Sequence, residues 1–114
     1  MWNLDIWYIV PYMAPATLIF RDKLVFSDGA IQEIVIWRLP SADPERPHGL
    51  KYSLFYGKDG ERIVGYDNER GKGDHRHYGM NEERYEFTTV EQLMADFEAD
   101  VHKYRGSGHE TAKD

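Results

Sequence analysis

Two histidines separated by a single residue, His75 and His77, mark the segment of this chain with the most evident chemical potential. The surrounding segment, residues 66–77, adds three basic side chains, Arg70, Lys72 and Arg76. If residues 75–77 are extended, both imidazoles point to one face, because side chains of a strand repeat every two residues. Since histidine titrates near neutral pH, such a pair can supply both the base and the acid of a proton-transfer reaction.

The reaction that best fits this set is cleavage of RNA without a metal. It needs a base for the 2′-hydroxyl proton, an acid for the leaving oxygen, and cations on the phosphate as charge builds. The predicted catalytic residues are His75, His77, Arg70 and Tyr66, the last of which would position the substrate or donate a proton. The predicted substrate-binding residues are Lys72, Arg76, Asp67 and Asn68. This chemistry requires no cofactor and no metal ion.

Two other interpretations of the segment stay open. The histidines together with Asp67 or Asp74 offer a mixed nitrogen–oxygen ligand set, although the spacing matches no strong zinc signature and the nearby cations oppose a metal. Alternatively, the basic residues simply pair with the carboxylates around a tight loop, and the glycines serve the turn. Two further polar residues, Arg46 and His48, lie in a proline-rich segment that is typical of a solvated loop.

The composition restricts the classes of protein that remain. The chain has 114 residues, no cysteine and a net charge of −6, so one domain is expected and thiolate metal sites and a cysteine nucleophile are excluded. Residues 1–77 hold 11 acidic and 10 basic residues, whereas residues 78–114 hold 9 acidic and 4 basic ones. Because most of the negative surplus lies in the last third, the charge argues against wrapping by nucleic acid but not against contact at one small site.

The expected domain organisation is simple. Residues 1–12 are apolar but lack a basic start, so they make a poor signal peptide, and we interpret them as a possible extension before Met13. No stretch is long and apolar enough for a membrane helix, and a cytoplasmic protein is expected. A single domain is predicted over residues 13–105, followed by a disordered tail over residues 106–114.

Alternating and β-branched residues predict a run of strands, with an Asp-Gly hairpin signal at Asp28-Gly29. The predicted strands are Thr17–Phe26, Ala30–Leu39, Leu50–Tyr56 and Glu61–Asp67, with short ones at His75–Tyr78 and Arg84–Phe87. Apolar residues on both faces of the second strand predict a central strand that is covered on each side. A helix is predicted from a capping box of Thr88 and Glu91, with one apolar stripe running to Tyr104. The predicted fold class is therefore α+β, an antiparallel meander of five to six strands with one C-terminal amphipathic helix packed on one face.

Several long motifs carry a resemblance to a known family, the TumE-type toxins of prokaryotic toxin–antitoxin systems. The motifs are RDKLVFSDGA at 21–30, IWRLP at 36–40, PHGLKY at 47–52, VGYDNERGKGDHRH at 64–77, YEFT at 85–88 and VEQLMADF at 90–97. The resemblance covers residues 18–104 and implies a small cytoplasmic toxin encoded beside a DNA-binding antitoxin that neutralises it by contact. It also implies RNA or the translation machinery as the target. The assignment of the catalytic residues does not come from the resemblance, and a non-enzymatic binding module and self-association stay open as alternatives.

Overall fold

A computed structural model of the chain describes residues 15–69 and 71–106. In these residues six strands form one antiparallel sheet in the order of the chain, β1-β2-β3-β4-β5-β6, and a single helix follows them. The strands are β1 (Thr17–Val25), β2 (Ile31–Arg38), β3 (Leu50–Lys58), β4 (Glu61–Asp67), β5 (His75–Tyr78) and β6 (Asn81–Arg84), and the helix is α1 (Val90–Tyr104). The predicted α+β meander with one C-terminal helix is confirmed. The predicted extension at 1–12, Arg70 and residues 107–114 of the predicted tail lie outside the described residues.

The hairpin turns follow local chemistry. Asp28 accepts a hydrogen bond from the Ala30 N–H at 3.0 Å, which closes the predicted Asp-Gly turn between β1 and β2. Between β3 and β4, Asp59 and Gly60 both have positive φ, 54° and 78°, as a two-residue hairpin turn that matches the strand twist requires. These two short connections explain why β1 pairs with β2 and β3 pairs with β4.

The core lies on one face of the sheet, beneath α1. Its strand residues share even numbers from β2 to β4, and they contact the apolar stripe of the helix; the buried set is Ala30, Ile34, Ile36, Tyr52, Leu54, Tyr56, Val64, Tyr66, Leu93, Phe97 and Val101. The predicted stripe of α1 is therefore confirmed. We call the face of the sheet away from α1 the open face. It carries Gly65 and Asp67 of β4, His75 and His77 of β5 and the β6 partners of those two histidines, whereas Ile63 of β4 packs against the core.

Two local predictions are wrong. The helix is capped by Thr89, whose side chain accepts from the Gln92 N–H at 3.0 Å, one residue later than predicted. The last strand is Asn81–Arg84, reached from β5 through a turn at Gly79, rather than Arg84–Phe87. The second strand has partners on both edges, and buried residues lie on both of its faces: Ile34 and Ile36 beneath α1, and Val35, 3% exposed, on the other face.

Candidate functional site

The register of β4, β5 and β6 gathers a polar cluster on the open face. Asp67 pairs with His75, and His77 pairs with Gly65 on one side and Glu82 on the other. The two imidazole rings lie 4.9 Å apart between centroids, so the expectation that they share a face is confirmed. We define the histidine cluster as Arg62, Asp67, His75, His77 and Glu82, with Lys72 at its margin.

The first histidine of the cluster is held from both ends. His75 is only 5% exposed, and its Nδ1 lies 3.0 Å from the carbonyl oxygen of Gly73. Because a carbonyl only accepts, Nδ1 carries a proton and donates it. On the other side of the ring, Nε2 lies 2.8 Å from Asp67 Oδ1 and 3.5 Å from Glu82 Oε2. Two carboxylate oxygens therefore lie close to this ring nitrogen.

The second histidine has a different kind of partner. His77 Nδ1 lies 3.0 Å from Arg62 Nη2, and a guanidinium only donates, so Nδ1 accepts and the ring proton sits on Nε2. Burial, and after it the positive charge of Arg62, lower the pKa of His77 below its ordinary value of 6.5. The imidazole of His77 is therefore neutral at pH 7. Two neighbouring histidines with different partners, one facing carboxylates and the other accepting from an arginine, are the arrangement that a paired acid and base need.

Arg62 reaches His77 by lying across a glycine. A methyl group added at Gly65 would come within 2.7 Å of Arg62 Cδ, so the missing side chain at this position leaves the path for the arginine. The guanidinium also lies 3.9 Å from Asp67 Oδ2, which places one positive charge between the carboxylate and the neutral imidazole. Gly65, in the middle of β4, is the sequence signal for this close approach of Arg62.

Two further side chains come from the end of the sheet. Glu82 extends from β6 toward both histidines, and its Oε2 lies 3.9 Å from His77 Nε2. The ammonium of Lys72 lies 3.9 Å from the same oxygen, and both side chains are about half exposed. The predicted substrate-binding residue Lys72 thus adjoins the histidines, whereas sequence reasoning missed Glu82 because it placed the last strand too late.

Two predicted site residues lie on the other face. Tyr66 is fully buried beneath α1, where its hydroxyl donates to Asp100 at 2.6 Å. Burial, and after it this hydrogen bond, raise the pKa of Tyr66 far above its ordinary range. Arg76 donates to the Tyr66 hydroxyl at 3.2 Å and forms an ion pair with Glu83 at 2.9 Å. The sheet therefore separates both side chains from the histidines, and the geometry does not support catalysis by Tyr66 or substrate binding by Arg76 beside them; both roles stay predictions.

The side chain of Asn68, just after β4, is hydrogen-bonded to the backbone of β3. Its side chain is completely buried, accepts from the Tyr52 N–H at 3.0 Å and donates to the Leu50 carbonyl at 2.8 Å. Both of its amide groups are thus used to bind β3 to the end of β4. Contact with a substrate stays a prediction for Asn68, and the geometry does not support it.

Replacing Asn68 with alanine is expected to lower the free energy of unfolding by about 2–4 kcal/mol, because the buried Tyr52 N–H and Leu50 carbonyl lose their partner. Urea denaturation measures this change. The matched control is Asn81→Ala on the exposed strand β6, which should shift stability by no more than about 0.5 kcal/mol. Equal effects of the two substitutions would contradict the structural role.

A second network holds the loop that precedes His75. Asp74 accepts from the Tyr52 hydroxyl at 2.6 Å, and its Oδ1 lies 3.0 Å from His48 Nε2. His48 Nδ1 accepts a hydrogen bond from the Leu50 N–H, so Nε2 carries the ring proton and donates a hydrogen bond to Asp74. This network fixes the loop whose Gly73 carbonyl orients His75. His48 and Arg46 were expected to be solvated loop residues, and the structure differs. The ring centroids of His48 and Phe87 lie 4.2 Å apart, and Arg46 is buried against Asp43.

The histidine cluster also contains a potential set of metal ligands. Asp67, His75 and His77 each offer one ligand atom, and these atoms lie within 4.8 Å of one another. Asp74, the other acid considered from the sequence, is taken up by Tyr52 and His48. The ordered arrangement of imidazoles, carboxylates and cations can therefore transfer protons next to a bound anion, or bind a divalent ion.

These features define a class: a small α+β protein with one helix behind a meander sheet and a histidine-rich polar cluster on the opposite face. The family model described as toxin TumE matches residues 5–105. The chain therefore belongs to the TumE toxin family, and the resemblance drawn from the motifs is confirmed. No curated protein and no solved structure matches the chain. No helix within residues 15–69 and 71–106 has the length and apolar character to cross a membrane.

Proposed function

We propose that this toxin acts by cleaving RNA as a metal-independent endoribonuclease. One observation carries the proposal: two adjacent histidines share a face, and one is held by carboxylates while the other accepts from an arginine. Proton transfer from a donor and to an acceptor at the same phosphate requires two such groups. The cations Arg62 and Lys72 supply charge where a phosphodiester would bind.

The proposed reaction begins when the phosphate replaces His77 as the partner of Arg62. The RNA phosphate attracts the guanidinium of Arg62, which binds phosphate in a two-pronged manner and releases His77 Nδ1. His77 Nδ1 then removes the proton from the 2′-hydroxyl, and the 2′-oxygen attacks phosphorus. The bond from phosphorus to the 5′-oxygen breaks, and His75 Nε2–H gives its proton to that oxygen. The products are a 2′,3′-cyclic phosphate and a 5′-hydroxyl end.

The remaining members of the cluster position the acid and stabilise the charge. Asp67 and Glu82 face His75 Nε2, so they orient the ring that is proposed as the acid. Arg62 and Lys72 balance the negative charge that builds on the phosphate oxygens. Arg70 precedes Gly71 in the chain and is proposed as a further phosphate contact from its charge alone.

The test uses a labelled RNA oligonucleotide and the same oligonucleotide with 2′-deoxy sugars. The purified chain should cut the RNA, leave 2′,3′-cyclic phosphate ends and spare the deoxy substrate, with the same rate in EDTA. Intact RNA over a wide range of protein concentrations would contradict the proposal. Cleavage that EDTA abolishes would replace it with a metal-dependent reaction.

We also propose that the toxin belongs to a type II system, in which a DNA-binding antitoxin neutralises it by contact. Strand β1 supports a protein contact, because it lies at the edge of the sheet with exposed apolar side chains, among them Leu18, Phe20 and Leu24. The same strand favours the second candidate, a non-enzymatic binding module. Co-expression with the adjacent gene, followed by co-purification and the RNA assay, separates the two: a bound partner and inert RNA favour the module.

Substituting Tyr66 with phenylalanine is expected to leave RNA cleavage within about threefold of the wild type, because its hydroxyl points to Asp100 on the helix side. The lost hydrogen bond to a charged group should lower the free energy of unfolding by about 1.5–3 kcal/mol. Paired measurements of cleavage rate and urea denaturation check both numbers. A hundredfold loss of activity in a folded Tyr66→Phe variant would instead support the catalytic role that the sequence predicted.

A further inference from the structure

One atom of the histidine cluster is not satisfied by its neighbours. Asp67 Oδ1 is buried and receives no hydrogen bond of good geometry, although His75 Nε2 lies only 2.8 Å away. A buried acceptor without an aligned donor is costly, so such an atom commonly marks a position that a ligand completes. The atoms around Oδ1 are themselves ligand atoms, from His75 and His77.

The orientation of His75 favours a metal ion as that ligand. Histidines that bind metals usually donate their other ring N–H to a carbonyl or a carboxylate, which fixes the tautomer and aims the free nitrogen. His75 does this through Nδ1 and Gly73, which leaves Nε2 directed at Asp67. Glu82 Oε2, 3.5 Å from the same nitrogen, adds a fourth possible ligand. Imidazole and carboxylate together suit zinc-like divalent ions better than magnesium.

We propose that Asp67, His75 and His77 bind one zinc-like divalent ion, and that this ion inhibits the toxin by taking the atoms that transfer protons. The ion and the RNA phosphate then compete for one site. The inhibitory part rests on the proposed function, whereas binding of the ion does not.

Arg62 decides how tightly the ion binds. Its guanidinium occupies His77 Nδ1 at 3.0 Å and lies 3.9 Å from Asp67 Oδ2, so it opposes a second cation by charge and by position. Removing this charge should strengthen binding of the ion while weakening the binding of phosphate. Opposite effects of one substitution on two ligands are not expected from a general change in folding.

The experiment is a calorimetric titration of the full chain, without an affinity tag, with zinc chloride and with magnesium chloride. We expect one zinc ion per chain and no magnesium binding. Asp67→Asn and His75→Asn should each weaken zinc binding about 10- to 100-fold. Arg62→Gln should strengthen it about tenfold. The control is His102→Ala, on the exposed side of α1, which should leave binding unchanged.

The RNA assay is run in parallel, with zinc added and then removed by EDTA. Inhibition at one ion per chain, reversed by EDTA, supports both parts of the proposal. Zinc binding by a protein that never cuts RNA keeps the metal site and contradicts the proposed function. The metal site is overturned if the active enzyme binds no zinc. It is also overturned if Asp67→Asn and His75→Asn leave the zinc affinity unchanged. Activation by zinc overturns the inhibitory role.

Discussion

Replacing His75 with asparagine is expected to reduce RNA cleavage about 10²- to 10⁴-fold, because the reaction loses the acid that protonates the leaving 5′-oxygen. Asparagine retains an amide that can donate to the Gly73 carbonyl, the contact that His75 makes at 3.0 Å, so the preceding loop keeps its anchor. The measurement is the single-turnover rate on the labelled RNA, with circular dichroism and urea denaturation to establish that the variant is folded.

Two comparisons make the result specific to this acid. His102→Ala removes an exposed histidine of α1 and should leave the rate unchanged. The double variant with His77→Ala should be little slower than either single one, because an acid and a base that act in one step are not additive. If the folded double variant cut RNA at the wild-type rate, the histidine cluster would have no part in catalysis.

The second large effect is expected at Arg62, where Arg62→Gln should lower kcat/KM about 10²- to 10³-fold, as loss of one donor to a developing charge does in other enzymes. The guanidinium that now bonds His77 Nδ1 is the group that the phosphate would recruit. The kcat/KM of Arg62→Lys should fall between that of the wild type and that of Arg62→Gln, since lysine keeps the charge but not the two-pronged contact.

Arg38 provides the matched control for charge. It lies exposed at the end of β2, away from the histidine cluster, so Arg38→Gln removes the same charge at a remote position. We expect Arg38→Gln to change the rate by less than about threefold, and only through weaker long-range attraction of RNA. Equal losses in Arg62→Gln and Arg38→Gln would show that net charge, rather than position, explains the effect of Arg62.

The fold was predictable because the sequence features that determine it are local. Alternating residues, the Asp-Gly turn and the stripe of α1 all operate within a few positions, and they are enough to predict a meander with a C-terminal helix. Strand β6 was misplaced because all four of its residues are exposed, so burial leaves no pattern in Asn81–Arg84. The apolar residues at 85 and 87, which suggested a strand, instead pack against Tyr66 and Tyr52 from a non-strand segment.

The candidate site was predictable only in part. The two-residue period correctly joins His75 to His77, yet the same period places Arg76 between them on the opposite face. That Asp67 faces His75 depends on the register between β4 and β5, and that Glu82 faces His77 depends on the register of β6. Arg62 reaches the cluster only because Gly65 leaves space for its side chain. Contacts between strands of this kind are properties of the folded sheet, and apart from the glycine at position 65 the sequence carries no local pattern that predicts them.

The alternation of the two faces has a consequence for how the gene can change. Along β5, His75 and His77 belong to the proposed chemistry, while Arg76 and Tyr78 face the helix side and the core. One nucleotide substitution in a histidine codon can therefore abolish the proposed activity and leave the fold intact. An inactive copy would still present β1 and the helix to any partner that recognises them. Under the proposed function, populations that carry the gene thus have a short mutational route from an active toxin to an inactive copy that still binds the proposed antitoxin.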